Sequence, residues 1–194
     1  MSNTNTFSSA LVVDTAELIS NPKVAPLHGG DALISWTQNR YNSSTFDTTR
    51  NLAHLLKAQD IWVTLYDSAT NAFAPATQIS DILTNPNDLE SGKSEGNANI
   101  IMGKGNYGLI TWVVNNDTMN NNADVWYCTV TTTSTNVVLG TPATLINLPG
   151  TNTKINVSYY NDSLAIACWI NDPDGNDSTL YQSKKSFRRL TNSI

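Results

Sequence analysis

The chain has 194 residues, with 11 Lys and Arg against 16 Asp and Glu, a net charge of −5 and a pI near 4.8. Its length suits one domain or two very small ones, and 14% charged against 40% hydrophobic residues argues against disorder through charge excess. An acidic chain without a Lys/Arg cluster lacks the surface that releases counterions from a phosphate backbone, which argues against nucleic acid as a partner and against anionic membranes.

In chain order, Met1 to Thr6 are polar, with neither a basic segment nor an apolar one, so no secretory signal is expected in this chain. Apolar runs such as 109–114 fall short of the ~18 residues a membrane-crossing helix needs, so no membrane insertion is expected. Residues 10–20 read as a strand. A pattern then begins that is written three times.

In the first copy a short strand candidate at 22–27 leads through the turn His28-Gly29-Gly30-Asp31 to the Trp-ended run 32–36. An insertion at 41–59 follows, with Leu52, Leu55 and Leu56 at helical spacing and His54 expected exposed on that helix. A run opened by Asp60 spans 60–66, and an element at 73–80 closes the copy. The second copy repeats this at 98–102, at 108–112 ending in Trp112, at 124–130 opening with Asp124, and at 137–147. The third has 154–159, 164–169 ending in Trp169, a weaker run at 177–181 opening with Asp177, and 187–194.

Four short β-type runs per copy, separated by Gly, Asn and Asp, predict four-stranded antiparallel meanders. The expected architecture is all-β: a partial β-propeller of three such blades plus an extra N-terminal strand. Its segments are an orphan outer strand at 10–20 and blades at 22–80, 97–147 and 153–194, in a single domain. With strands labelled a to d outward from the hub, the a–b turns are short and the length variation falls in the b–c and d–a connections. Those loops share one face, where a binding site would be built. Arg40 and Tyr41 after the first b strand, and Asn115, Asn116 and Asp117 after the second, are the candidate ligand contacts there. The Asn-rich loop reads more readily as a solvated turn. The b-strand tryptophans Trp36, Trp112 and Trp169 are expected to pack between blades rather than to stack on sugars.

The 21–40 and 60–80 segments resemble a repeat of sialidase-superfamily, or Asp-box, propellers. The hallmark Ser-x-Asp-x-Gly-x-Thr-Trp/Phe turn survives only as Ser68 and Phe73 in Ser68-Ala69-Thr70-Asn71-Ala72-Phe73. The third copy, with Leu180-Tyr181 and then Phe187-Arg188-Arg189-Leu190-Thr191-Asn192, is similar to TolB-type repeats. The resemblance implies a propeller of typically six blades. For the enzymes it further implies an arginine cluster, a Tyr/Glu pair and an acidic catalyst. Arg40, Arg50, Arg188 and Arg189 do not match such a cluster, because adjacent residues on an outer strand point to opposite faces. None of the family's catalytic residues carries over.

Three blades cannot close where rings need about four to eight. The chain is therefore expected either to be part of a longer propeller or to close by self-association, most simply as a homodimer. Cys128 and Cys168 sit in apolar runs and read as buried thiols, with a single disulfide as the alternative. The Asp172-Pro173-Asp174-Gly175-Asn176-Asp177 segment sets oxygens at alternate positions around a glycine. Asp172, Asp174 and Asn176 are thus candidate Ca2+ ligands, against the plainer reading of a polar turn.

The leading functional expectation is a non-catalytic binding or assembly module for glycans or proteins, with no catalytic residues and no cofactor beyond that calcium. A fragment or subunit of a sialidase-like glycoside hydrolase is the alternative, and a structural component of a particle or surface layer is the third. The Asn/Thr-rich, charge-poor composition leans toward an extracellular or particle-surface setting.

Overall fold

Residues 12, 18–41, 52–79, 88–90, 93–115, 122–161, 164–173 and 184–191 are described by the computed structural model, the last segment as backbone. The protein is mainly β. The first sheet is an antiparallel meander of β1 (Ile19–Pro26), β2 (Ala32–Asn39) and β3 (Gln59–Asp67), with β4 (Ala72–Phe73) and β5 (Thr77–Gln78) both paired to β3. Helix α1 (Leu52–Lys57) lies in the β2–β3 connection, as its leucine spacing predicts. The second sheet opens with a like meander of β6 (Ser94–Met102), β7 (Tyr107–Asn115) and β8 (Ala123–Thr132), with β9 (Val137–Leu139) and β10 (Ala143–Ile146) on the far side of β8. It continues through β11 (Thr151–Asn161), β12 (Leu164–Asp172) and β13 (Lys184–Thr191).

Four expectations need correction. The outer strands expected at 73–80 and 137–147 are each broken in two, because Pro75 and Pro142 have no N–H to give the ladder. In the first, Ala74 N–H still reaches Leu65 O, and Ile79 N–H reaches Ile61 O, on either side of the break. Ile19 and Ser20, expected at the end of an outer strand, begin the inner strand β1. The rest of the 10–20 expectation, apart from exposed Val12, lies outside the described residues. The segment expected as the outermost strand of the third copy pairs directly with β12, Ile166 facing Arg189 and Ala167 facing Arg188. The 177–181 strand lies outside the described residues.

The second and third meanders are also not separate sheets: one parallel pair, Thr151 with Ala123, joins β11 to β8 and makes the sheet mixed. Gly150 permits that approach. It sits at φ +88, where a Cβ would fall 2.0 Å from Asp172 O. Asn152 then ties the join from inside, donating to Ala123 O and Leu148 O at 2.9 Å each.

The meanders stack face to face with a core in each seam. Leu33, Ile61 and Val63 of the first pack on Ala98, Ile100, Ile110, Trp112 and Val114 of the second. Leu109 and Val125 of the second pack with Ile155, Val157, Ala167 and Trp169 of the third. The three b-strand tryptophans are all buried, Trp112 and Trp169 in the seams as expected, whereas Trp36 belongs to neither seam core. At the centre, β6 lies between β1 and β11, so the innermost strands of the three meanders are neighbours.

Candidate functional site

Two polar constellations lie at the end of the stack where the b–c and d–a loops emerge. The first gathers around Arg40, just beyond β2. Its guanidinium grips the Asp60 carboxylate through Nε at 2.9 and 3.0 Å and through Nη2 at 2.5 Å, both side chains being over nine-tenths buried. Nη1 and Nη2 also donate to Leu89 O and Lys93 O. Arg40 therefore ties Leu89 and Lys93 to the β2–β3 end, and its fork is filled by the protein itself. Beside it Tyr41 donates its hydroxyl to Glu90 at 2.5 Å, and His54 Nδ1 lies 2.8 and 3.0 Å from the two Glu90 oxygens. His54 was expected exposed and solitary; it is half-buried and paired.

Asn115 ends β7, half-buried, while Asn116 and Asp117 lie outside the described residues. Asp172 ends β12, and Asp174 and Asn176 lie outside the described residues. The structure thus brings Arg40 and Tyr41 together and gives the calcium set no geometry. Among the described residues no group of three His, Cys, Asp or Glu side chains could hold a metal.

The second constellation was missed in the sequence. Each innermost strand carries a bulge opposite the tryptophan of its neighbour. Ser20 pairs Thr37 and Lys23 pairs Ser35, leaving Asn21 and Pro22 opposite Trp36. Asn97 and Ala98 stand in the same way opposite Trp112, and Lys154 and Ile155 opposite Trp169. The first residue of every bulge is left-handed: Asn21 at φ +50, Asn97 at +54, Lys154 at +50. Asparagine tolerates that conformation; lysine rarely adopts it. The signal that could have found the bulges is their constant place ahead of the tryptophan, 21 before 36, 97 before 112 and 154 before 169.

The bulges converge on a groove of about 380 Å³ lined by Asn21, Lys23, Asn97, Asn99, Lys154 and Asn156 over Ala98 and Ile155. Asn99 Nδ2 reaches Asn156 Oδ1 at 3.4 Å across it. The volume falls in the range of small-molecule sites.

Two further groups are set by their surroundings. Burial, with the Glu95 charge second, pushes the Cys128 thiol up to about 12, and both cysteines are free rather than bridged. In the β3–β4 turn the Thr70 hydroxyl and the Ala69 N–H hold the Asp67 carboxyl below its usual value. Asp67 thereby caps the β3–β4 turn.

Comparison of the chain with protein-family models and with curated proteins returns no match.

Proposed function

We propose that the chain is a non-catalytic binding and assembly module: three blades of a β-propeller, half of a six-bladed ring, completed by a second copy and presenting the loops of one face to a glycan or a protein. The observation that carries this reading is a matched pair of uncovered positions on the two outer faces. Ile100 and Val157 are 8% and 4% exposed beneath the preceding meander, and Val24, at the same place in the first, is 65% exposed. Leu33 and Leu109 are 0% and 2% exposed beneath the following meander, and Ile166, at the same place in the third, is 46% exposed.

What covers each position inside the chain is the other kind of face, so the chain's own seams supply the template for the occupant. A homodimer that lays the third meander on the partner's first repeats that seam twice about one two-fold axis. The test is absolute mass by light scattering. A dimer near twice 21.1 kDa that Ile166→Glu converts to a folded monomer is the expected result. A wild-type monomer with unchanged melting in that variant overturns self-association and directs attention to blades elsewhere in a longer polypeptide.

A second reading, part of a sialidase-like glycoside hydrolase, draws on the Tyr41–Glu90–His54 relay, in which a carboxylate joins a phenol to an imidazole. Turnover of fluorogenic glycosides that Glu90→Gln abolishes would favour it. Against it stands Arg40, whose guanidinium is already committed to Asp60, Leu89 and Lys93.

A further inference from the structure

We infer that the groove between the three innermost strands binds a small hydroxylated ligand through a tetrahedral oxyanion, a sulfate or phosphate monoester. This deepens the binding-module reading and rests on it only for supplying a ligand, because the groove is built within one chain and does not need the ring to close.

Among the described residues the lining carries two cations, Lys23 and Lys154, and no carboxylate, on a chain whose net charge is −5. Among the described residues neither lysine ammonium makes an ion pair or side-chain hydrogen bond. A concave site of one sign on a protein of the other concentrates the opposite ion. The four asparagines Asn21, Asn97, Asn99 and Asn156 each offer a donor and an acceptor, the pairing that hydroxyls need. Ala98 and Ile155, both largely buried, give an apolar floor for the carbon face of the ligand.

The choice of anion follows from the kind of cation. A planar carboxylate is matched by the guanidinium fork, and among the described residues no arginine lines the groove. Lysine ammoniums are point charges that can be brought to a tetrahedral group from separate directions. Lys154 provides the independent sign of selection for its side chain. It occupies the left-handed first position of the bulge, where the two equivalent positions have asparagine, so local backbone preference is set aside to keep an ammonium at the groove.

The experiment is calorimetric titration of the intact chain with inorganic sulfate, inorganic phosphate and acetate, on wild type, Lys154→Asn and Lys23→Gln/Lys154→Gln. The expected result is binding of one or both tetrahedral anions, weakened about tenfold or more in Lys154→Asn and lost in the double variant, with acetate inert. The sulfate and phosphate arms separate the two sources of the group. Lys154→Asn should also melt higher than wild type, since asparagine suits the backbone better. A rise in melting temperature with loss of anion binding distinguishes a retained ligand contact from a structural lysine. Equal anion affinity in wild type and the double variant overturns the inference, as does acetate binding as tightly as phosphate. Light scattering on the same samples keeps the readings apart: a dimer that binds no oxyanion removes the inference and leaves the assembly module, and a monomer that binds it removes the assembly and leaves the groove.

Discussion

At position 33 of the first meander a leucine is sealed beneath the second, while at 166 of the third the equivalent isoleucine stands 46% exposed. The same contrast runs through the whole repeat. Pro22 and Val24 are exposed where Ala98, Ile100, Ile155 and Val157 are buried, and Cys168 is half-buried where Ser35 and Thr111 are fully buried. Trp36 is the exception, buried on an outer face. The two kinds of surface differ in a second way. Each inner seam contains a polar pin two residues before the left-handed bulge residue. Glu95 accepts from Trp112 Nε1 at 2.7 Å and from Ile61 N–H of the first meander, and Asn152 donates to Ala123 O of the second. On the first outer face that position is Ile19, 39% exposed. Apolar residues therefore make any face of this repeat sticky, and the pins mark the two seams where the chain has fixed which faces meet and in what register.

The strongest way to break that distinction is to remove a pin. Glu95→Ala leaves the Trp112 indole and the Ile61 amide without their carboxylate in a fully buried site, and is expected to cost about 4 kcal/mol, from orphaned donors at about 1–3 kcal/mol each and the cavity. Chemical denaturation with intrinsic tryptophan fluorescence reads it directly. A cost below about 1 kcal/mol would mean that the first seam is held by apolar packing alone. Next in size is a pair at one repeat position. Leu109→Ala empties the second seam and is expected to cost about 3 kcal/mol, whereas Ile166→Ala on the outer face should cost less than about 1 kcal/mol in the isolated monomer and should act on self-association instead. Equal unfolding costs at the two positions would defeat the account of the outer face.

How far all this was legible follows from the period of each signal. The b strands and the Asp-opened c strands alternate over short spans bounded by turn residues, so 32–36, 60–66, 108–112 and 124–130 read directly as strands. The inner bulges were not read, because a bulge leaves no break in hydrophobicity and only Asn21 and Asn97 hint at positive φ. The third copy went astray at β13, where Phe187 and Leu190 look like any outer strand and only pairing decides that β12 is the neighbour. The site fared worst. Tyr41 and His54 of the β2–β3 connection are brought to Glu90 of the connection between β5 and β6 by folding, and a titratable residue alone in its own window carries no sign of a partner far along the chain.

The two thiols sharpen the same comparison chemically. Cys128 sits in the first seam with its pKa raised to about 12, and Cys168 is half-buried on the third meander. At pH 8.5 the native monomer is expected to take up one equivalent of iodoacetamide, at Cys168, and the denatured chain two. For Cys128 the folded pKa lies above the unfolded value of 9.0, so its contribution is fully present below pH 9 and is lost as pH rises toward 12. Alkaline melting of Cys128→Ser should therefore be flatter over that window than that of wild type, and parallel curves would mean that the thiol is hydrated. If a second copy covers the outer face of the third meander as proposed, it should slow labelling of Cys168 and leave Cys128 unaffected.

The smallest expected effect lies away from both surfaces, at the exposed β3–β4 turn, and serves as their control. Asp67 accepts from Ala69 N–H at 2.9 Å and Thr70 Oγ1 at 2.7 Å, and these bonds favour the ionised carboxylate. Its folded pKa is below the ordinary value of 3.8, so the stability it confers is present above that value and is lost as pH falls through the lower folded one. Asp67→Ala is expected to lower the melting point slightly at pH 7 and to converge with wild type as pH falls through the lowered folded pKa and the wild-type carboxylate is protonated. Solution mass and labelling of Cys168 should stay unchanged throughout. A change in either would show that the turn communicates with the outer faces, and would remove the argument that only the seam positions decide how this chain associates.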